Sequence, residues 1–442
     1  MPGDRCRPVD GCRPRVAAAD WCFAHYPVAM TSVPFQVEID PADLGFDADR
    51  LLRIDRHFAS YVDDGRLAGW LAVVARRGQL VHVGAGGRRD VEAGLPVETD
   101  TLWRIYSMTK PITAVAAMAL YERGAFSLND PVSKWIPSFT DSRVYRSGPP
   151  HAPVTVPATE PVRMWHLLSH TAGLTYGFTQ SSIVDAMYRA AGSDFGQPAG
   201  LDLAQVCDLW ASMPLLFEPG SAWNYSVATD VLGRVCEVIT GKALDEVFDE
   251  LVLGPLGMHE TRWWVEGPDA GRLAALYVPH PETGRVVRHD AVGSSALCRP
   301  DMLGGGGGLI STAADYHRFT SMLLGGGQLD GVRILAPRTL AYMTTNHLPG
   351  GATLAQIGRG QFAEAAYDGM GFGLGFSVLV DPVAGKVPAS KGEFAWGGAA
   401  STAFWVDPVE QVTAMLFTQL LPSSTYPLRG ELRQLVYGAL VG

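Results

Sequence analysis

The sequence predicts an α/β fold of the α+β type, with one sheet domain assembled from both ends of the chain. Three observations support this prediction. The front of the chain has the pattern of a helix followed by a hairpin of two Val- and Leu-rich strands. The back has the pattern of several strands followed by a final helix. The segment between them is mainly helical and rich in turns, so a helical domain inserted into the sheet domain is the arrangement that this order favours.

A chain of 442 residues is too long for one small core, and we divide it into three parts. Residues 1–45 form an N-terminal extension without sustained periodicity. Residues 46–127 and 300–442 together form the sheet domain, and residues 128–299 form the mainly helical domain. The junction of the two domains is where we expect a functional site.

The elements of the front part follow one another closely. "DADRLLRIDRHFASYVDDG" has apolar residues at helical spacing and ends at Gly65, which predicts a first helix. "GWLAVVARRGQLVHVGAGG" has two apolar runs around Arg-Gly-Gln, the pattern of a β-hairpin. A second helix is predicted to open at Ser107, in "LWRIYSMTKPITAVAAMALYERG".

The elements of the back part begin with "STAADYHRFTSMLLGGG", which predicts a helix capped by Ser311 or Thr312. "GFGLGFSVLVD", "EFAWGGAASTAFWVDP" and "QVTAMLFTQLL" predict strands, and the Asp-Pro-Val-Glu turn between the last two predicts a second hairpin. A final helix is predicted from about Pro427 to Leu440.

The composition excludes several functional classes. A formal net charge of −10 without any basic run argues against nucleic acid as a partner. The sequence contains no stretch of eighteen uncharged apolar residues, so it predicts no membrane span. The first thirty residues lack the apolar core of a signal peptide, so we expect a cytoplasmic protein. The sequence carries no signal for an oligomeric state.

The six cysteines fall into two groups. Cys207, Cys236 and Cys298 stand in apolar surroundings, and we expect buried thiols rather than disulfides. The other group shares the N-terminal extension and has the order of a small Cys3His zinc knuckle: Cys6, Cys12, Cys22 and His25. The alternative is that translation begins later, at Met30, and that residues 1–29 form no site.

Ser107 and Lys110 are three residues apart at the start of the second helix. Positions i and i+3 share one face of a helix, so both side chains are expected to point the same way. Of the five lysines, only Lys110 has a serine three residues before it. A serine hydroxyl becomes a good nucleophile when a neighbouring base removes its proton. A desolvated, neutral lysine can be that base.

Two further motifs suit the same chemistry. "PGSAWNYSVATDVLG" places Tyr225 at a loop-to-helix boundary, where a phenol can relay a proton between lysine, serine and leaving group. "EFAWGGAAST" places Trp396, Gly397 and Gly398 on a strand, and a glycine pair in a strand indicates close backbone approach. An N–H exposed on that edge could help to bind an oxyanion.

The motifs "SMTK", "YSV" and "WGGA" occur in the order found in serine hydrolases of the class C β-lactamase fold. The pattern most resembles the family VIII carboxylesterases. "HLLSHTAGLTYGF", "EPGSAWNYS", "GPLGM" and "GGGGGLISTAADYHRF" resemble the same superfamily, and the likeness runs from about Leu51 to the C-terminus. The resemblance implies a β-lactamase/penicillin-binding-protein-like fold, with an antiparallel sheet flanked by helices and an inserted helical domain. It implies no cofactor and no metal.

The resemblance also implies a mechanism. Ser107 attacks an ester carbonyl, and Lys110 with Tyr225 serves as general base and acid. The N–H groups of Ser107 and Ala399 hold the oxyanion, and water then releases the acyl-enzyme. The oxyanion- and substrate-binding positions are expected at Ala399, Trp396, Gly397, Gly398, Tyr106 and Tyr176, with Trp103 and Phe178 as further candidates for an apolar pocket.

The departures from the β-lactamase pattern point to a neutral substrate. Val227 stands where β-lactamases and penicillin-binding proteins have Asn, and Trp396-Gly397 stands where they have Lys-Thr. Without those polar groups the recognition of anions should be poor. We therefore expect a carboxylesterase that hydrolyses small to medium neutral esters. The alternatives are a β-lactamase or D-aminopeptidase, an acyltransferase of the same fold, and an inactive relative used for binding.

Three other signals are set aside. The glycine run at 304–308 lacks the Gly-Lys-Ser/Thr of a phosphate-binding loop, and we expect a flexible turn beside the active-site sheet. His166 and His170 are four residues apart, but no glutamate follows His166 as in zinc proteases, so structural roles are expected. The chain has no Gly-x-Ser-x-Gly nucleophile elbow.

Overall fold

Eight strands from both ends of the chain form one antiparallel sheet in the computed structural model, which describes residues 35–194, 198–289, 294–359 and 367–442. The strands of this sheet, numbered in chain order, are β1 (Gly69–Arg76), β2 (Gln79–Asp90), β3 (Leu95–Pro96), β4 (Met370–Phe372), β5 (Ser377–Leu379), β6 (Phe394–Gly397), β7 (Ala403–Asp407) and β8 (Val412–Phe417). Their order across the sheet is β4-β5-β6-β7-β8-β1-β2-β3.

Strand β1 joins the two ends of the chain. It pairs with β2 as the predicted hairpin, and on its other edge it pairs with β8, where Leu71 lies opposite Phe417. Every residue of β1 is buried. A strand that is covered on both faces is apolar along its whole length, which explains the run "GWLAVVA". Both predicted hairpins are confirmed, since β7 and β8 also pair around their turn.

The side chains of β1 alternate between two apolar cores. Leu71 and Val73 belong to the larger core, which includes most of the middle segment. Ala72 and Val74 belong to the smaller core, which includes the helices at the two chain ends. Because successive side chains of a strand point to opposite faces, the sheet separates these cores.

The helices surround this sheet and fill the middle segment. Those of five or more residues, numbered in chain order, are α1 (Ala48–Asp63), α2 (Thr109–Glu122), α3 (Met164–Leu168), α4 (Ile183–Ala190), α5 (Leu203–Ala211), α6 (Ala228–Thr240), α7 (Leu244–Phe248), α8 (Ala313–Leu324), α9 (Pro337–Met343) and α10 (Leu428–Ala439). Other helical segments include Asp249–Leu253, which is π-helical, Gly267–Arg272, which is a 3₁₀ helix, and the shorter Gly254–Leu256, Leu354–Ile357 and Pro382–Gly385. Small antiparallel pairs are Trp103–Arg104 with Ile310–Ser311, Arg143–Ser147 with Val154–Pro157, Tyr277–Pro279 with Val286–Arg288, and Gln328–Leu329 with Val332–Arg333.

The predicted helices at the chain ends are confirmed. α1 follows Asp47, whose carboxylate accepts the Arg50 N–H at 3.0 Å as an N-cap. α10 buries Leu428 and Leu432 against the smaller core. α8 is capped by Thr312, one of the two residues proposed for that cap.

The second helix begins slightly later than the sequence predicts. Tyr106–Met108 form a 3₁₀ turn, and α2 starts only at Thr109. The physical reason is the backbone of Tyr106, whose φ of 44° is left-handed and cannot continue an α-helix. Ser107 therefore lies in the turn before the helix, and Lys110 lies in the first turn of α2.

Residues 35–442 make one compact unit. The domain boundaries at residues 127 and 299 stay predictions about divisions within it. Among the described residues, no helix has both the length and the apolar character to cross a membrane.

The cysteine predictions have different outcomes. Cys207 and Cys236 are buried, as predicted, but Cys298 is exposed, so that prediction is wrong. Cys298 follows a short 3₁₀ turn at the surface, next to the exposed Leu297, and its apolar neighbours in sequence do not cover it. The proposed zinc-knuckle residues all precede Phe35 and lie outside the described residues.

The buried carboxylate of Asp185 holds the loop that precedes α4. It accepts hydrogen bonds from the hydroxyls of Thr175, Thr179 and Ser182, each at 2.7 Å. Burial alone would raise the pKa of Asp185, but the hydrogen bonds outweigh burial and hold this pKa below its usual value of 3.8. The ionised carboxylate therefore stabilises residues 175–182, a loop that includes aromatic candidates for the pocket.

Replacing Asp185 with Asn should destabilise the fold. An amide leaves at least one buried hydroxyl poorly paired, so Asp185→Asn is expected to lower the free energy of unfolding by about 1–3 kcal/mol at neutral pH. Because the folded-state pKa is depressed, the contribution of the carboxylate is present above the unfolded-state pKa and is lost as pH falls through the folded-state pKa. Denaturant unfolding at neutral pH and near pH 3 measures both effects. The exposed Asp194→Asn is the control, and equal stability of the two variants at neutral pH would contradict the assignment.

Candidate active site

The structure brings together the three residues that the sequence predicts to be catalytic. The hydroxyl of Tyr225 lies 2.6 Å from the Oγ of Ser107, and the Nζ of Lys110 lies 3.3 Å from the same oxygen. Lys110 and Tyr225 are each only 2% exposed. One serine hydroxyl thus contacts both a phenol and an amine, at distances that allow proton transfer to either.

Ser107 is presented by a sharp turn between a strand and a helix. The strand Trp103–Arg104 is held by pairing with Ile310–Ser311, and the N–H of Ile105 donates to the Leu309 carbonyl at 3.0 Å. The left-handed backbone of Tyr106 then turns the chain immediately before the serine. A non-glycine residue in this region is strained, and such strain is common at functional sites.

Lys110 is surrounded by groups that stabilise positive charge. Its Nζ lies 4.5 Å from the ring centroid of Tyr225 and 5.4 Å from that of Tyr176. It also donates a hydrogen bond to the carbonyl oxygen of Gly306. Aromatic faces and a carbonyl oxygen both attract an ammonium group. An ammonium in this position would stabilise negative charge that develops on the Tyr225 phenol.

Asp230 supports the glycine that contacts Lys110. Its buried carboxylate accepts the N–H of Gly306 at 2.8 Å, while the carbonyl of the same glycine accepts from Lys110. Burial raises the pKa of Asp230, and the positive charge of Lys110 and the Gly306 N–H oppose that increase. Lys110 and Asp230 are therefore linked through a single residue of the glycine run.

The glycine run forms a turn at residues 305–307, as the sequence predicts, and this turn has a further role in positioning Lys110 that the sequence does not predict. Both the N–H and the C=O of Gly306 are hydrogen-bonded, and the Gly305 carbonyl accepts the Thr113 hydroxyl at 2.6 Å. A Cβ at Gly306 would overlap the Asp230 carboxylate. The glycines allow this segment to pack against α2 and α6. Five consecutive glycines were the only signal in the sequence.

The ring of Tyr225 is fixed by other aromatic side chains. Its centroid lies 5.0 Å from the ring of His170, 5.3 Å from Tyr176 and 5.4 Å from Trp396. Burial, and to a lesser extent the charge of Lys110, lowers the pKa of His170 well below its usual range, so this imidazole is neutral. Its Nδ1 lies 3.2 Å from the Oγ of Ser226. The neutral His170 therefore helps to hold the ring of Tyr225, which is the residue predicted to relay the proton.

The structure supports structural roles for the two histidines. The Nδ1 of His166 accepts the Arg163 N–H at 3.0 Å, which closes the first turn of α3. Among the described residues, no group of three or more His, Cys, Asp or Glu side chains is arranged to hold a metal ion.

The predicted oxyanion segment lies beside the serine turn. Strand β6 ends at Gly397 and packs against the turn Tyr106–Met108. Tyr106 and Ala399 both pack against the small apolar cluster of Leu276, Ala400 and Leu421. Within the described ranges neither the Ser107 nor the Ala399 N–H has an acceptor. Two free donors next to the nucleophile are what a tetrahedral oxyanion requires.

The aromatic candidates for the pocket fall into two groups. Tyr176 and Phe178 stack with centroids 4.8 Å apart near Lys110, and Trp396 packs against Phe372 at 5.3 Å. Burial raises the pKa of Tyr106 to about 12, so its phenol stays protonated. Trp103 lies in the core. It is 1% exposed, and its ring lies 6.1 Å from that of Phe417 in the larger core, so its place in the pocket stays a prediction.

Comparison with known proteins identifies the family. Residues 54–438 match the family described as Beta-lactamase. The chain is 38% identical over 363 residues to Protein Rv1367c of Mycobacterium tuberculosis, a match that covers 81% of this chain and 88% of that protein. It is 34% identical over 424 residues to Esterase EstB of Burkholderia gladioli, covering 90% of this chain and 98% of that protein.

A solved structure agrees with these matches. The structure described as "EstCE1, a hydrolase with promiscuous acyltransferase activity" matches with a TM-score of 0.72 and 30% sequence identity, over 89% of this chain and 98% of that one. The predicted β-lactamase/penicillin-binding-protein-like fold is confirmed. The chain belongs to the Beta-lactamase family and is a serine hydrolase of that family.

Proposed function

We propose that this protein is a carboxylesterase that hydrolyses small to medium neutral esters through an acyl-enzyme on Ser107. The observation that carries the proposal is the contact of one serine hydroxyl with both Tyr225 and Lys110, at 2.6 and 3.3 Å. The similarity to Esterase EstB and to the hydrolase EstCE1 supports it.

The preference for neutral esters rests on two substitutions in the motifs. Val227 is buried with 1% exposure and supplies no polar group to a substrate. Trp396, in place of the lysine of the third β-lactamase motif, packs against Tyr225 and Phe372. An apolar wall at these positions favours an acyl or alkoxy group over a carboxylate.

The acylation step uses the shortest contact of the site. The Ser107 oxygen attacks the ester carbonyl while its proton passes to the Tyr225–Lys110 pair, and the carbonyl oxygen becomes an oxyanion held by the N–H groups of Ser107 and Ala399. Collapse of this intermediate breaks the bond to the alkoxy oxygen. That oxygen receives the proton from Tyr225 and leaves as an alcohol.

Deacylation repeats these steps with water. The Tyr225–Lys110 pair removes a proton from water, and the resulting hydroxide oxygen attacks the acyl carbon. The ester bond to Ser107 then breaks, and the serine oxygen recovers its proton. If an alcohol takes the place of water, the same intermediate gives a new ester. Acyl transfer is therefore the second candidate function, and the description of EstCE1 as a hydrolase with promiscuous acyltransferase activity favours it.

Removing the amine of Lys110 should slow catalysis without unfolding the protein. Lys110→Met keeps the approximate length and apolar contacts of the side chain but removes the amine beside Tyr225. We expect kcat for p-nitrophenyl butyrate to fall by about 10²- to 10⁴-fold. Lys134→Met is the control, since Lys134 is 53% exposed and pairs with Asp130. A Lys110→Met variant that keeps more than about a tenth of wild-type kcat would remove this lysine from the mechanism.

Substrate class is tested with p-nitrophenyl butyrate and nitrocefin. The wild type should hydrolyse the ester and cleave little nitrocefin, because no lysine from the third motif binds an anion. Ser107→Ala should abolish ester hydrolysis, whereas Ser221→Ala, on the surface, should leave it unchanged. Rapid nitrocefin cleavage would contradict the esterase assignment and indicate a β-lactamase activity. Ester turnover that survives in Ser107→Ala would exclude Ser107 as the nucleophile.

Hydrolysis and transfer are distinguished by product analysis. With p-nitrophenyl butyrate in plain buffer, we expect butyrate as the product. Added methanol should divert part of it to methyl butyrate, because both products arise from one acyl-enzyme. Gas chromatography measures the two products. A protein that forms methyl butyrate when methanol is present, but forms no butyrate when methanol is absent, is an acyltransferase rather than an esterase.

A further inference from the structure

The peptide that joins Gly398 to Ala399 is held from behind by Arg429. The Nη2 of Arg429, in the first turn of α10, donates to the carbonyl oxygens of Gly398 and Thr402, each at 2.9 Å. One guanidinium nitrogen thus bridges the two ends of the turn that follows β6.

This contact restricts the direction of the Ala399 N–H. In a planar trans peptide the C=O and the N–H point in opposite directions. The Gly398 carbonyl and the Ala399 N–H belong to the same peptide, so a donor fixed on the oxygen also fixes the N–H. A cationic donor on the carbonyl oxygen also polarises the peptide and makes the N–H a stronger donor.

The rest of the turn is closed by backbone hydrogen bonds. The Gly398 N–H donates to the Thr402 carbonyl at 2.9 Å, and the Ser401 N–H donates to the Gly398 carbonyl at 3.1 Å. Among these contacts, Arg429 is the side chain that reaches both carbonyls at the base of the turn. It connects the turn to α10, which the smaller core anchors.

Gly397 explains how Arg429 comes so close. A Cβ at Gly397 would overlap the guanidinium group of Arg429. A Cβ at Gly398 would instead meet the Ile105 carbonyl beside the serine turn. The close backbone approach that the glycine pair predicts is therefore made on one side by Arg429 and on the other by the chain before Ser107.

We infer that Arg429 is a positioning residue that orients and polarises the oxyanion-binding peptide of Ala399. This inference rests on the proposed function, because that function assigns the oxyanion to the Ala399 N–H. Arg429 itself acts from the opposite side of the peptide and touches no reacting atom. Its effect should therefore appear in the transition state rather than in substrate binding.

The test compares Arg429→Gln with Arg433→Gln. Arg433 lies one turn further along α10 and pairs with Glu393 at 2.7 Å, so its replacement perturbs the same helix without touching the turn. We expect Arg429→Gln to lower kcat for p-nitrophenyl butyrate by about 10- to 100-fold with KM changed less than about two-fold. Arg433→Gln should stay within about two-fold of wild type.

A thionoester substrate separates orientation from general damage. Sulfur is a weak hydrogen-bond acceptor, so the thiono analogue of the same ester gains little from the Ala399 N–H. Arg429→Gln should therefore slow hydrolysis of the ester more than hydrolysis of the thionoester. The ratio of the ester rate to the thionoester rate should fall. Equal slowing of both substrates, a rise in KM alone, or an unchanged kcat would overturn the inference.

Two further measurements keep the inference falsifiable. If Arg429→Gln does not fold, Gly397→Ala, which displaces the guanidinium, should show the same fall in the ratio of the ester rate to the thionoester rate. Arg429→Lys, which keeps a cationic donor, should show a smaller fall. If the wild type hydrolyses neither substrate, the proposed function fails. The inference is then judged by the rate at which diethyl p-nitrophenyl phosphate modifies Ser107, since that reaction also places a negative oxygen near Ala399. Unchanged labelling in Arg429→Gln would overturn it.

Discussion

The left-handed backbone at Tyr106 is the constraint on which the rest of the site depends. A non-glycine residue in this conformation costs about 1–3 kcal/mol. Hydrogen bonds at Ile105 on one side, and the packing of Tyr106 against the apolar cluster of Leu276, Ala400 and Leu421 on the other, offset that strain. The turn ends the strand, places Ser107 before α2 and brings the serine beside strand β6. The nucleophile and its oxyanion donors are therefore set by the same local conformation.

A positive charge on the buried Lys110 is compatible with the fold whenever the amine holds a proton, because several elements solvate it. Tyr176 and Tyr225 offer ring faces, the Gly306 carbonyl accepts a hydrogen bond, and Asp230 supplies a carboxylate beyond that glycine. An isolated ammonium in this place would be destabilising by several kcal/mol. The same groups that make the charge tolerable also hold it next to the Tyr225 phenol. Stability and the proposed proton transfer thus depend on one arrangement, which joins α2, α6 and the glycine run.

Sequence patterns predict the parts of this protein that are encoded locally. Helical and alternating periodicity located both hairpins and the helices at the chain ends, and the motifs identified Ser107, Lys110 and Tyr225, which the structure places in contact. The supporting contacts could not be predicted, because they join residues distant in sequence. Gly306 meets Lys110 across 196 positions, and Arg429 meets the Gly398 carbonyl across 31. The local sequence around Gly306 or Arg429 does not indicate which distant residue each will contact. Burial is equally non-local, which is why the surface position of one cysteine was not predicted.

The most direct test of this account is to identify the covalent intermediate. The wild-type protein is mixed with p-nitrophenyl butyrate, an activated ester for which acylation should outpace deacylation. Acid quenching during the first turnover, followed by proteolysis and mass spectrometry, locates any acyl group. The account predicts one butyryl group on the Oγ of Ser107, which disappears as the substrate is exhausted. A butyryl group on a different side chain, formed and lost at the rate of turnover, would contradict it.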